Sequence, residues 1–291
     1  MFSLIVGTLN RSVELEICLD SLLHQTIRGF EIIIVDQSDN KKTEKLVNLD
    51  KYACMDIKYY NVKFRGLSKA RNFALSIASG DYFALIDDDA SYDENYLKTA
   101  ESVFKNYNNV ILSGYMINSD GKPSFKKYKY IKNRKEMSIR EIVRMAPSPG
   151  LIFPMSIYKK GLIFDENFGV GAKYGACEET DLILDSLDKG YWVIMIKDMV
   201  VTHPTTEHTF EIENDTNLKK IENYSKGFGA LIIKDRLIRN SNRLFGVRIE
   251  KKIKLFIKIC GLVGNENKEK AIREKRGLDI GMQEFRDNNG V

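Results

Sequence analysis

Cysteine is sparse and scattered in this 291-residue chain: Cys18, Cys54, Cys177 and Cys260 stand far apart, and no two form a C-x-x-C pair. That spacing argues against a zinc site or a disulfide framework and for a reducing compartment. No run of about 18 apolar residues occurs, so no segment is expected to span a bilayer. Met1 leads straight into a strand-like segment, without a basic stretch and an apolar stretch ahead of it, so no secretory leader is expected. Internal repeats and low-complexity tracts are missing too. The net charge of +5 is modest and says little alone; no nucleic-acid partner is expected. What remains is ordinary for a globular protein, 43% hydrophobic and 29% charged, with enough chain for one large or two small domains.

Apolar runs and polar clusters alternate along the first two hundred residues. Residues 2–7, F-S-L-I-V-G, read as a buried strand, and T-L-N-R (8–11) as a polar turn. Ser12 is placed to cap a helix with apolar positions Val13, Leu15, Ile17, Leu19, Leu22 and Leu23. A second strand over 31–35 closes in D-Q-S-D-N (36–40). A helix over 41–49, a strand over 57–60 and a helix from G-L-S-K-A-R-N (66–72) to Gly80 follow. Strands alternating with helices imply an α/β domain with a doubly wound, mostly parallel sheet. Ligands then gather outside the carboxyl ends of the strands, where these polar clusters fall.

The stretch G-D-Y-F-A-L-I-D-D-D-A (80–90) concentrates the chemistry. A short apolar strand ends in Asp87, Asp88 and Asp89, three like charges that repel unless a cation or a basic group joins them. Oxygen-liking Mg²⁺ or Mn²⁺ suits such a site, and Mg²⁺ commonly shares its ligands with substrate phosphates. A calcium loop fits poorly: counted from Asp87, Tyr92 stands at the glycine position and Lys98 at the bidentate acid. A solvated acidic loop is the plain alternative.

I-V-G-T-L-N-R, V-D-Q-S-D, G-L-S-K-A-R-N and A-L-I-D-D-D-A, in this order and spacing, resemble the family 2 inverting glycosyltransferases of GT-A fold, over roughly residues 2–205. A fifth fragment, G-V-G-A-K-Y-G-A-C-E-E-T-D-L (169–182), is similar to the acidic motif preceding that family's acceptor-side helix. The resemblance implies transfer of a sugar from a nucleotide sugar, a UDP-sugar first, to a hydroxyl of a glycan or lipid-linked acceptor in surface-polysaccharide synthesis. It implies a divalent Mn or Mg cofactor. Asp36 would meet the nucleotide base, Thr8 and Asn10 would line base or ribose, and Arg11 would be among the donor-binding residues. Asp36 could instead be a cap or turn residue, and Thr8 and Asn10 turn formers. Arg71, in the first turn of a helix, would grip the pyrophosphate, where a surface ion pair is the alternative. Asp89 would bind the metal directly, with Asp87 nearer the ribose or sugar, Asp88 beside them among the donor-binding residues, and His203 as a further metal ligand or a structural residue.

An acceptor hydroxyl must lose its proton as it attacks, so a carboxylate base is required. The resemblance points to Glu179, where Asp is the family's usual residue, with Asp181 behind it and Glu178 as an orienting group. On a helix, positions 178 and 181 share a face and 179 points about 100° away, so only one set can face a site. Acids stabilised at a helix N-terminus are the alternative. A nucleotidyltransferase would need a Gly-rich basic loop after the first strand, which T-L-N-R is not. A binding protein without catalysis stays open because of the Glu at 179.

Past residue 205 the composition turns basic and helical. Lys251, Lys252, Lys254 and nine further cations interleave with Leu231, Leu244, Phe245, Ile253, Phe256 and Leu262 over 218–263. Such a stretch reads either as a membrane-surface helix or as a packed helix with a charged outer face. The domain division expected is 1–205 for the sheet domain and 206–291 for a helical extension. The final residues, 265–291, are polar and expected to be poorly ordered at the extreme end. The protein is expected in the cytoplasm, peripheral to the inner face of the membrane if the basic helices bind lipid.

Overall fold

The structure, a computed structural model, describes residues 1–125, 128, 130–204, 214–259 and 268–290. Leu262, among the apolar positions above, and Cys260 lie outside them. The chain forms two compact units. The first contains a nine-stranded sheet: β1 (Phe2–Thr8), β2 (Phe30–Asp36), β3 (Asp56–Asn61), β4 (Tyr82–Leu85), β5 (Ser91–Tyr92), β6 (Val110–Ile117), β7 (Arg134–Glu136), β8 (Leu151–Pro154) and β9 (Trp192–Thr202). The order is β3-β2-β1-β4-β8-β6-β9-β5, and β7 pairs with β9. Strands β1 to β4 pair in parallel. Strand β8 is antiparallel to both β4 and β6, and β6 is parallel to β9. Six strands, β1 to β4, β6 and β9, therefore run in one direction.

The central strands are apolar on both faces, as parallel strands covered on both sides require. Leu4, Ile5, Val6, Ile32, Ile33, Ile34, Val35, Phe83, Ala84 and Leu85 are all essentially inaccessible. Phe83 of β4 stacks on Phe153 of β8 with ring centroids 4.9 Å apart, which fixes the one antiparallel neighbour in register. The helices of the chain are α1 (Ser12–Leu23), α2 (Lys42–Val47), α3 (Leu67–Ile77), α4 (Tyr96–Phe104), α5 (Ile139–Met145), α6 (Ser156–Lys159), α7 (Glu178–Leu187), α8 (Asp215–Leu237), α9 (Phe245–Ile259) and α10 (Lys268–Asn288). Helix α1 buries Leu15, Cys18, Leu19 and Leu22, an i, i+3, i+4, i+7 stripe, and leaves Val13 and Ile17 in solvent. Ser12 is its first helical residue, and Arg11 occupies the cap position without a side-chain bond.

The second unit takes in Gly66–Ser68, Phe164–Asp185 and the C-terminal helices. The expected division at residue 205 places 164–185 with the sheet domain, whereas here they group with the C-terminal helices. The end of the chain also departs from expectation. Residues 265–291 are expected to be polar, without a helix and poorly ordered only at their extreme end, whereas 268–288 form α10, which buries Ala271, Leu278, Met282 and Phe285 against its unit. It packs along α8. Glycines make this approach possible: a Cβ at Gly229 would lie 2.2 Å from the Leu278 carbonyl oxygen, and one at Gly281 only 1.9 Å from that of Lys226.

Gly281→Ala is accordingly expected to destabilise the protein by about 2 kcal/mol through overpacking. On an isolated helix the same change stabilises by about 1 kcal/mol. The sign measured in a denaturant titration decides between the two, and a gain in stability would contradict the close approach of α8 and α10. Among the described residues, no helix is long and apolar enough to cross a membrane.

Candidate active site

Strand direction assembles the site. Because β1, β2, β4 and β9 run the same way, Thr8, Asp36, the aspartates 87–89 and His203 all fall at or just beyond the carboxyl edge of one sheet. Asp87, Asp89 and His203 each bring a ligand atom to within 4.8 Å of the others. His203 Nε2 lies 3.1 Å from Asp89 Oδ1 and 4.0 Å from Asp87 Oδ2. Its Nδ1 lies 2.9 Å from the carbonyl oxygen of Pro204. A carbonyl can only accept, so Nδ1 carries a proton, and Nε2 is the nitrogen turned to the carboxylates. Burial pulls the imidazole pKa down, but Asp89 and Asp87 outweigh it and raise it.

Asp88 points the other way. It is buried, Thr8 Oγ1 donates to its Oδ2 at 2.7 Å, and Arg11 Nε lies 3.3 Å from its Oδ1. Burial pushes its pKa up to about 7, against the pull of Arg11 and Thr8. Arg11 Nη2 also donates to Asp89 Oδ2 at 2.5 Å. Burial opposes ionisation of Asp89 too, yet His203 and Arg11 hold it at about 2. Thr8 and Arg11, read as donor-binding, thus anchor the aspartates in this structure. Arg11 supplies the positive charge that three crowded carboxylates require.

Arg71 is 2% exposed, which rules out a surface ion pair. Its Nη2 donates to Asp87 Oδ1 at 3.2 Å and to the Ser148 hydroxyl. A buried guanidinium must be paired and hydrogen-bonded, and Asp87 does this from the metal-site side. Asp36 is fully buried: its Oδ1 accepts from the Ser38 backbone N–H and its Oδ2 from the Tyr59 hydroxyl, each at 2.9 Å. This is an Asx-turn closing β2. Asn10 adopts a left-handed conformation, φ 59°, and is bonded to Ser38 and Asn40. Both therefore have the turn roles that were their alternative readings, with donor contact a separate matter.

The acidic segment at the start of α7 separates as helical geometry demands. Glu178 and Asp181 share the buried face, and Glu179 is half-buried. Asp181 is 1% exposed; Arg239 Nη2 donates to its Oδ1, and Lys234 Nζ to its Oδ2 at 2.7 Å. Lys234 also bonds Asp165, and Arg239 bonds Asp185. Burial raises the Asp181 pKa against these two cations. Both oxygens of Asp181, the reserve base of the sequence reading, are thus committed to cations in this structure. Glu178 lies against Gly169, whose Cβ position would be 3.2 Å from its carboxylate, and that glycine has φ +99°. The residues missed in sequence are Ser38, Tyr59 and Ser148. Ser38 lay in a quoted fragment, whereas Tyr59 and Ser148 carry no local signal.

Asp87, Asp89 and His203 fit a divalent cation. The two carboxylates suit Mn²⁺ or Mg²⁺, and the imidazole, oriented by its Nδ1–H bond to a carbonyl, adds a nitrogen donor that favours a transition metal such as Mn²⁺ over Mg²⁺.

The profile of glycosyl transferase family 2 matches residues 3–164. The chain is 24% identical over 189 residues to the glycosyltransferase GlyG of Streptococcus pneumoniae, covering 60% of this chain and 62% of that one. Over 115 residues it is 31% identical to the Escherichia coli UDP-Glc:alpha-D-GlcNAc-diphosphoundecaprenol beta-1,3-glucosyltransferase WfaP, covering 38% and 45%. The chain thus spans less than two thirds of these curated relatives. Among solved structures, the Pyrobaculum calidifontis mannosyltransferase PcManGT with GDP-Man and Mn²⁺ superposes with a TM-score of 0.61 at 14% identity, over 100% of this chain and 75% of that one. Staphylococcus aureus TarS 1-349 in complex with UDP-GlcNAc does so with 0.58 at 16%, over 99% and 92%. These likenesses show the GT-A fold. The family profile covers more than half of the chain and includes both the aspartate triplet and Arg71: this protein belongs to glycosyl transferase family 2.

Proposed function

We propose that the protein transfers a sugar, with inversion, from a nucleotide sugar to a hydroxyl of a lipid-linked glycan, with a UDP-sugar as donor. The observation that carries this is the Asp87–Asp89–His203 group at the sheet's carboxyl edge, with Arg71 buried behind Asp87. Family membership and relatives described with UDP-sugars support the donor, and WfaP, named for a diphosphoundecaprenol-linked substrate, supports the acceptor.

In this reading Asp87, Asp89 and His203 would hold a divalent cation, which would supply Lewis-acid stabilisation of the departing diphosphate. Arg71 holds Asp87 in place and brings fixed positive charge to the same edge. Arg11 shifts between Asp88 and Asp89 and a bound phosphate, since a guanidinium half in solvent can exchange acceptors. Thr8, Asn10 and Asp36 shape the base and ribose side. Glu179 takes the acceptor's proton, being the half-buried acid of its segment.

A panel of UDP-, GDP- and CMP-sugars, each with Mn²⁺ or Mg²⁺, tests this through release of nucleoside diphosphate or monophosphate. The expected result is metal-dependent release of UDP on addition of an acceptor. Donor binding without turnover for every sugar and acceptor tried would favour a binding protein instead.

A further inference from the structure

Helix α9 presents an apolar face to solvent. Phe245, Ile249, Ile253 and Phe256 are between 42% and 64% exposed. At about 100° per residue, these positions fall within roughly 80° of arc. The opposite face is the packed one, with Val247 and Leu255 buried. Basic side chains border the ridge on one side, Arg248 and Lys252 on α9 itself. At the base of α9 a cleft of about 300 Å³ is lined by Arg236, Asp235, Asn242, Phe245 and Arg248, among others.

The cations of this unit divide into two groups. Lys251 pairs with Glu274, Lys254 with Glu250, and Arg243 with the buried Asp235. Lys252 lies 3.4 Å from Asp279 at the surface. The lysines that first suggested a lipid surface are thus paired with acids, Lys254 within its own helix. Arg236 and Arg248, both lining the cleft next to Phe245, have no ion-pair partner among the described residues.

We infer that the ridge Phe245–Ile249–Ile253–Phe256, with Arg236 and Arg248 at its edge, is the surface by which this protein lies on an anionic bilayer. An amphipathic helix with aromatic and aliphatic residues on one face and cations beside it lies in the plane of the headgroups. The guanidiniums meet lipid phosphates, and the ridge enters the acyl boundary. A second copy is the poorer occupant: a two-fold contact through this ridge would set the same cationic border against itself. The inference deepens the proposal of a lipid-linked acceptor, because it would hold the enzyme at the surface where such an acceptor resides.

The test is flotation of the full chain, without nucleotide, on vesicles of phosphatidylcholine alone or mixed with phosphatidylglycerol. Wild type is expected to float with the mixed vesicles and weakly with the neutral ones. Ile253→Ser with Phe256→Ser, both exposed, should lower partitioning about tenfold or more. Arg236→Gln with Arg248→Gln should lower binding to the mixed vesicles by about twenty-five-fold at low salt, at roughly fivefold per cation. Lys254→Gln, on the far side of α9, should change nothing. Circular dichroism and melting confirm that each variant is folded. Flotation unchanged in the ridge variant, no flotation of wild type, or a ridge-dependent dimer in sedimentation without vesicle binding would each overturn the inference. Asp89→Ala should float as wild type does. A chain that floats through its ridge yet turns over no donor would refute the transferase reading and leave this one standing.

Discussion

Asp89→Ala is expected to lower sugar transfer by at least about 10³-fold, corresponding to roughly 4 kcal/mol of lost transition-state stabilisation. Asp89 is the carboxylate on which the site converges: Oδ1 faces His203 Nε2, and Oδ2 accepts from Arg11. Removing it takes away one of the two carboxylates facing the cation position and leaves one carboxylate and a neutral imidazole, so the hold on Mg²⁺ or Mn²⁺ weakens. The fold should survive, because one of three repelling charges is lost and Arg11, half in solvent, can turn wholly to Asp88. A melting temperature close to wild type, together with loss of the metal-dependent part of nucleotide binding in calorimetry, separates a site effect from unfolding. Asp89→Asn, which keeps the shape and removes the charge, should behave similarly. Full turnover by wild type in excess EDTA would sink the metal assignment outright.

The second large effect concerns the base. Glu179→Gln preserves size and hydrogen bonding while removing basicity, and should lower turnover by roughly 10²–10⁴-fold with little change in donor affinity. Asp181→Asn provides the contrast, and its effect should appear in a different measurement. That change leaves Lys234 and Arg239 facing a neutral amide in a buried site, at a cost of about 3 kcal/mol or more in stability. Turnover per folded molecule should fall far less than for Glu179→Gln. Thermal melts and kcat measured in parallel on the two variants resolve the roles. Normal kcat for Glu179→Gln would remove Glu179 from the chemistry.

Much of the sheet's edge was legible in the sequence because two signals coincide there. Apolar runs such as I-I-I-V and F-A-L are buried on both faces of a parallel sheet, and each stops at a polar cluster where a strand must end. Asp87 and Asp89 stand at such an end, and Arg71 lies one residue past the first turn of α3, where the sequence reading had the first turn itself, so their gathering follows from topology. The partners that hold them do not. Thr8 reaches Asp88 across 80 residues and Arg71 reaches Ser148 across 77, and no local pattern marks either serine or threonine. Helix α10 was hidden for a different reason. Its apolar residues are few, and its contact with α8 depends on glycines, which count against a helix wherever propensity is summed. The same blindness applies to Asp181, whose acidic surroundings in sequence resemble a catalytic motif, while its cationic partners lie more than fifty residues further on.

The cluster of Asp165, Asp181 and Asp185 with Lys234 and Arg239 bears on how this protein could be cut and recombined. A graft that replaced only the C-terminal helices with those of a relative would remove both cations and leave three acids, one of them fully enclosed, without countercharge. The segment bearing Glu179 would lose its footing along with them. The unit of exchange is therefore discontinuous: residues 164–185 and the C-terminal helices must travel together.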